Sequence, residues 1–215
     1  MTAVAASFAD VFSSALRGEA CHIVGLDDAP RPLPVATWRQ VPDAGDVAVL
    51  SQCDGPSLDV GCGPGRMTQH LAELGHAVLG IDVVPEAVFQ TRERGVAALL
   101  RDVFEPVPGE GRWASVLLAD GNIGIGGNPR ALLARANELL ASGGRVVVDV
   151  EPPGTGLRTS TVHLRTRARE CRPFPWSVVG ADAIGPLAAA SGFTVLGLHQ
   201  HDQRYFAVLG ARSSR

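Results

Sequence analysis

The sequence predicts a doubly wound α/β fold on a mixed but mostly parallel sheet. Three observations predict it. From Ser57 onward, short apolar runs alternate with segments of helical periodicity, as repeated strand–helix units do. The runs are continuously apolar, as in Val146-Val-Val148, which marks parallel strands covered on both faces. A glycine loop, Gly61-Cys-Gly-Pro-Gly65, stands between the first run and the first helix.

Taken in order, the first 50 residues read as an accessory piece. Phe8, Val11, Phe12 and Leu16 have helical spacing, and the stretch from Pro30 to Pro34 interrupts the segment. A short helix near Asp46 to Cys53 is expected to lead into the first strand, Ser57 to Gly61. The expected division is a small helical lid, 1–50, and a main domain, 51–215.

Within the main domain, a helix runs from Arg66 to Leu74, with Met67, Leu71 and Leu74 on one face and Gly75 as its stop. Ala77 to Asp82 is the second strand. Pro85 opens a helix that Gly95 closes. Ala97 to Val103 and Ala114 to Asp120 are the third and fourth strands. Asn128 caps a helix begun by Pro129 and running through Leu140, and Arg145 to Val150 is the fifth strand.

A helix from about Ala181 to Ser191 ends at Gly192. Two further runs are Phe193 to His199 and Arg204 to Ala211. The gap between them is too short for a crossover helix, so they form an antiparallel hairpin. Between the fifth strand and this last helix, Thr159 to Arg169 reads as an inserted extended flap. Thr161, His163, Arg165, Arg167 and Arg169 share one face, with Val162, Leu164 and Ala168 on the other.

Composition narrows the chemistry. All 19 basic residues are arginine. A lysine Schiff base, a lysine general base and a Walker A phosphate loop are therefore excluded. Net charge is −3, which argues against nucleic acid and anionic membranes as partners. Cys21, Cys53, Cys62 and Cys171 contain no C-x-x-C pair, so no zinc knuckle or thioredoxin motif is expected and no metal is assigned. No apolar run approaches the ~20 residues that span a bilayer. No positive charge precedes Arg17, so a secretory signal is not expected and a cytoplasmic location is.

The glycine loop carries the main functional signal. Alternating glycines allow a tight turn and close approach of a ligand to the backbone. The helix after it contributes free N–H groups and a partial positive charge. The third glycine falls one place early for the dinucleotide fingerprint G-x-G-x-x-G, and Arg66 takes the fingerprint position. That weakens a nicotinamide reading. Asp82 ends the second strand 17 residues after Gly65, where an acid accepts hydrogen bonds from ribose hydroxyls. Asp59, Asp82 and Asp102 thus come from three consecutive strands to one sheet edge.

These motifs resemble those of class I S-adenosylmethionine-dependent methyltransferases. The matching segments are Leu58-Asp-Val-Gly-Cys-Gly-Pro-Gly65, Gly80-Ile-Asp82, Arg101-Asp-Val103 and Leu139-Leu-Ala-Ser-Gly-Gly-Arg-Val-Val147. The resemblance covers the chain from about Ser57 onward and implies a Rossmann-like fold with an antiparallel last strand. It implies S-adenosyl-L-methionine as cofactor. Asp59 and the loop Gly61, Cys62, Gly63 and Gly65 would hold its methionine part. Asp82 with Val83 would hold the ribose, and Asp102 with Val103 the adenine. The Asp120-Gly121 turn would meet the amino group.

The acceptor signal is weaker. Asp120-Gly-Asn-Ile-Gly-Ile-Gly-Gly-Asn128 departs from the Asn/Asp-Pro-Pro-Tyr motif of many nucleobase and protein methylating enzymes. A small-molecule acceptor is therefore expected. Its glycines either admit a flat acceptor or simply form a loop. Glu151 and His163 are the candidate catalytic bases. An RNA methyltransferase using the arginines between Arg158 and Arg172, and a non-catalytic cofactor-binding module, are the alternatives. Arg66 itself is expected on a helix surface.

Overall fold

The computed structural model describes residues 6–212. Residues 1–5, the head of the expected lid, and 213–215 lie outside it. Helix α1 spans Phe8–Leu16, succeeded by strands β1 (Cys21–Val24) and β2 (Arg31–Pro32) and short helices α2 (Val35–Trp38) and α3 (Ala44–Leu50). Then come β3 (Ser57–Val60), α4 (Arg66–Glu73), β4 (Val78–Asp82), α5 (Pro85–Glu93), β5 (Ala98–Leu100) and β6 (Trp113–Leu118). A 3-10 segment, Asn122–Gly127, leads into α6 (Pro129–Leu139) and β7 (Leu140–Val150). The chain ends with β8 (Leu157–Thr166), β9 (Phe174–Val179), α7 (Ile184–Ala190), β10 (Phe193–His201) and β11 (Arg204–Ala211).

Seven strands form the main sheet in the order β10-β11-β7-β6-β3-β4-β5. The five from β5 to β7 are parallel, and β11 and β10 complete the sheet antiparallel. The crossovers reverse direction between β3 and β6. In open α/β sheets that switch point opens the ligand crevice at the carboxyl edge. Alternate residues of the central strands point to opposite faces. Leu58, Val116, Val146 and Val148 pack under α6 and α7, whereas Leu117, Val147 and Phe206 pack under α3 and α4.

Three expectations change. The third strand is only Ala98–Leu100 because the chain turns at Asp102, whose carboxylate accepts from the Phe104 N–H at 3.0 Å. The fifth begins early, at Leu140. Its glycine stretch is accommodated by a register shift, with Trp113 opposite Leu140 but Ser115 opposite Arg145. The lid is not purely helical. His22 and Ile23 pair with Pro32 and Arg31, and β1 pairs antiparallel with β8, giving a second sheet in the order β2-β1-β8-β9. Half-exposed apolar segments from both ends of the sequence therefore bury one another. Val11, Ile23, Val162 and Leu164 form their shared core, which rests on Val84 and Ala87 around α5.

Candidate functional site

The loop after β3 is held from several directions. Gly61, Gly63 and Gly65 have φ of 72°, 54° and 83°, the left-handed region that favours glycine. The Asn122 amide donates to the carbonyls of Val60 (2.8 Å) and Gly61 (3.0 Å). The Thr91 hydroxyl donates to the Gly63 carbonyl at 2.9 Å. A Cβ at Gly65 would lie 2.6 Å from Thr91 Oγ1, so this glycine permits α4 to approach α5. A Cβ at Gly63 would meet nothing within 4 Å, so there the loop presents bare backbone to open space.

Asp82 ends β4 beside that backbone. Its carboxylate accepts from the N–H of Gly63 at 3.0 Å and of Val84 at 2.9 Å. Burial pushes its pKa up, while backbone donors from Val84, Gly63 and Val83 oppose the rise. Each carboxylate oxygen has more than one lone pair, so acceptor capacity remains for a ligand's hydroxyls.

Asp59 is only 2% exposed and lies behind the loop, accepting from Thr68 Oγ1 at 2.6 Å. Burial pushes its pKa up to about 7. The Cys62 thiol is turned inward, 3.6 Å from Thr91 Oγ1, and burial raises its pKa.

A cluster of five charged side chains braces the neighbouring edge. Arg66 is only 4% exposed; it is not the surface arginine expected at the start of a helix. It pairs with Asp46 of α3 and grips Asp120 through both carboxylate oxygens at 2.8 and 2.7 Å. Arg204 pairs with Asp46 and Asp149, and the Asp120 N–H donates to Asp149 at 2.7 Å. That contact fixes Asp120 at φ 53°, a conformation that aspartate tolerates better than most residues. Burial disfavours the Asp46 charge, but Arg66 and Arg204 outweigh it and hold the carboxyl below its usual range.

Between this edge and the small second sheet with its N-terminal helices, the expected lid, lies a cavity of about 810 Å³. Its sheet side is lined by Gly61, Cys62, Gly63, Asp82, Val83, Asp102, Val103 and Asp120; its lid side is aromatic and aliphatic, with Phe8, Phe12, Trp38, Phe174 and Trp176. A smaller cavity of about 430 Å³ adjoins it, sharing Arg31, Asp120 and Trp176, and is lined by Gly121, Glu151 and Tyr205. Of the three acids expected to converge, Asp82 and Asp102 line the larger cavity with the loop, and Asp120 joins them. Asp59, the third of the expected acids, and Gly65 line neither cavity.

His163 is not brought to the site. The expected alternation holds over Thr161 to Thr166, with Val162 and Leu164 buried. That alternation turns the His163 ring away from both cavities, and its Nε2 lies 3.1 Å from Glu170. Arg158, in the basic stretch, pairs with Asp27 at 3.0 Å. The glycine-rich segment resolves as a packing device. A Cβ at Gly124 would lie 2.3 Å from the Ser177 carbonyl and 2.6 Å from the Trp176 ring, and one at Gly127 would lie 2.4 Å from Pro175. These glycines let β9 lie directly on the segment. Among the described residues there is no cluster of His, Cys, Asp and Glu suited to a metal, and no helix is long and apolar enough to cross a membrane.

Sheet order, terminal hairpin and the cavity at the switch point define the fold of class I methyltransferases. Residues 58–144 match the family described as "Methyltransferase domain". The chain is 33% identical over 100 residues, 45% of its length, to a 2-heptyl-1-hydroxyquinolin-4(1H)-one methyltransferase of Mycobacteroides abscessus, and that match covers 42% of the relative. The chain spans less than half the length of the curated relatives it matches. A Bacteroides fragilis S-adenosylmethionine-dependent methyltransferase, in complex with S-adenosyl-L-homocysteine, superposes with a TM-score of 0.79 at 19% identity, over 96% of this chain and 94% of that one. A Burkholderia thailandensis 1,6-didemethyltoxoflavin-N1-methyltransferase gives 0.62 at 19% identity, over 99% and 93%. Together these show the methyltransferase fold over nearly the whole chain and a match to the methyltransferase domain over residues 58–144.

Proposed function

We propose that this chain transfers a methyl group from S-adenosylmethionine to a small-molecule acceptor held under the lid. The observation that carries the proposal is the roofed cavity. One wall is the glycine loop and its acids, the other an apolar lid. Its ~810 Å³ lies toward the upper end of the range typical of small-molecule sites. The match to a 2-heptyl-1-hydroxyquinolin-4(1H)-one methyltransferase and the likeness to a 1,6-didemethyltoxoflavin-N1-methyltransferase support a small acceptor.

When bound, the cofactor supplies a methyl group on a cationic sulfur with a neutral thioether as leaving group. The chain's part is to position. In this reading Asp82 would accept from ribose hydroxyls and the bare Gly63 backbone would pass close to the ligand, while Asn122 and Thr91 tie the loop down. Asp102 and Val103, which line the same cavity, would meet the adenine, and Asp120 the amino group. The lid excludes water.

Holding donor and acceptor in line at ~3–3.5 Å is worth roughly 7–11 kcal/mol. A general base contributes ~10²–10⁴-fold, so alignment is the larger effect. Glu151, in the adjoining cavity, is the carboxylate placed to take a proton from an acceptor reaching past Trp176.

Incubation with methyl-labelled S-adenosylmethionine and a metabolite panel is expected to yield S-adenosylhomocysteine and a labelled small product. Folded protein that binds neither nucleoside overturns the proposal.

A further inference from the structure

The chain is poor in aromatics, with three Trp, one Tyr and seven Phe. Five of these, Phe8, Phe12, Trp38, Phe174 and Trp176, gather on the lid wall of the larger cavity. They come from three separate segments yet form a continuous array. Phe8 stacks on Phe12 at 5.4 Å and meets Phe174 edge-on at 5.1 Å; Phe12 lies 6.0 Å from Trp38, and Phe174 lies 6.4 Å from Trp176. These separations suit offset or edge-to-face aromatic packing.

The array lies at the margin of the lid's core. Aliphatic residues such as Val11 and Val162 occupy the fully buried centre, while all five aromatic residues pack against it, remain part-exposed and line the cavity. The Trp176 ring is also backed by the main chain: because Gly124 lacks a side chain, the segment after β6 sits against it.

Charge completes the selection. The cavity's acids, Asp82, Asp102 and Asp120, all belong to the sheet side. Among the described residues the lid side carries a single charged residue, exposed Arg31, which lies 3.6 Å from Asp27. A charged acceptor body placed there would lose hydration with little compensation.

We infer that the lid is an aromatic receptor for a flat, uncharged ring system, which is the acceptor of the proposed methyl transfer; the inference rests on that reading for its function. Calorimetry on the whole chain saturated with S-adenosylhomocysteine tests it, with 4-hydroxyquinoline and 1-naphthol as ring probes against citrate and glucose 6-phosphate. At least one ring probe is expected to bind tenfold or more tighter than either anion. Anions binding as tightly as the rings, or no ring binding to the loaded protein, overturns the inference. Phe12→Leu and Trp38→Leu are expected to weaken ring binding by about three- to tenfold while S-adenosylhomocysteine affinity, which also reports folding, stays unchanged. Unchanged ring affinity in both folded variants also overturns it. Should the wild type fail to bind S-adenosylhomocysteine, the methyltransferase reading falls instead, and the same ring-against-anion titration without cofactor still decides the lid's selectivity.

Discussion

Replacing Arg66 with Met keeps an aliphatic stem in place but removes the cation that joins α3, the glycine loop and the Asp120 turn. Two carboxylates lose a partner. Asp46 is 3% exposed at its side chain and retains Arg204. Asp120 is 30% exposed, with Arg204 at 3.7 Å. Removing one partner of a buried pair costs about 3–5 kcal/mol. The surviving Arg204 contacts and the exposure of Asp120 place this case at the low end, about 3 kcal/mol. For a chain of this size that lowers Tm by about 6–12 °C.

The sign with pH comes from Asp46. Its folded pKa is held below the unfolded value, so its stabilisation is present above the unfolded pKa and is lost as pH falls through the folded one. In the variant Asp46 and Asp120, each left with Arg204 alone, take up protons more readily, and the deficit relative to wild type shrinks toward about pH 4. Thermal or urea unfolding of both proteins at about pH 7.5 and pH 4.5 measures this. A loss below about 1 kcal/mol, as for exposed ion pairs, or a deficit equal at both pH values, refutes the buried-network account.

Asp59→Asn is expected to abolish a pH dependence of stability. The folded pKa of Asp59 is raised from 3.8 to about 7, so its native form binds the extra proton and wild-type stability falls as pH rises between those values. At ~1.36 kcal/mol per unit the fall is at most about 4 kcal/mol, and an equal wild-type-to-variant difference in melts at about pH 5 and pH 8 would contradict it. Gly124→Ala forces a Cβ against the Ser177 carbonyl and the Trp176 ring. It is expected to cost about 1–3 kcal/mol and to weaken acceptor binding more than cofactor binding, as paired calorimetric titrations would show. His163→Ala is expected to leave the methyl-transfer rate unchanged in a turnover assay, because the ring lines neither cavity.

The parallel sheet was legible because its strands are apolar on both faces, as in Val146-Val-Val148, and because the glycine loop must sit at a strand–helix turn. Asp82 and Asp102 were legible because strand ends converge at one edge. The charge network was not. Arg66, Asp46, Asp149 and Arg204 lie far apart in sequence, and nothing local to Arg66 reveals that α3 and the terminal hairpin close over it. Asp46 was concealed further, because it also closes the N-terminal capping box of α3 with Asp43. The lid sheet escaped for a similar reason: β1 is four residues long and its partner β8 lies more than 130 residues away. The aromatic wall is assembled by the same long-range pairing. His163 shows the converse. Alternation along β8 was correct, but periodicity alone does not say which face meets the cavity.

The most direct measurement is titration of S-adenosylhomocysteine into wild type and Asp82→Ala by calorimetry. One site per chain is expected in the wild type. A loss of about 1–3 kcal/mol, roughly five- to 150-fold, is expected in the variant, because ribose hydroxyls lose their acceptor. Absence of binding by the folded wild-type protein, or equal affinity in both, would contradict it.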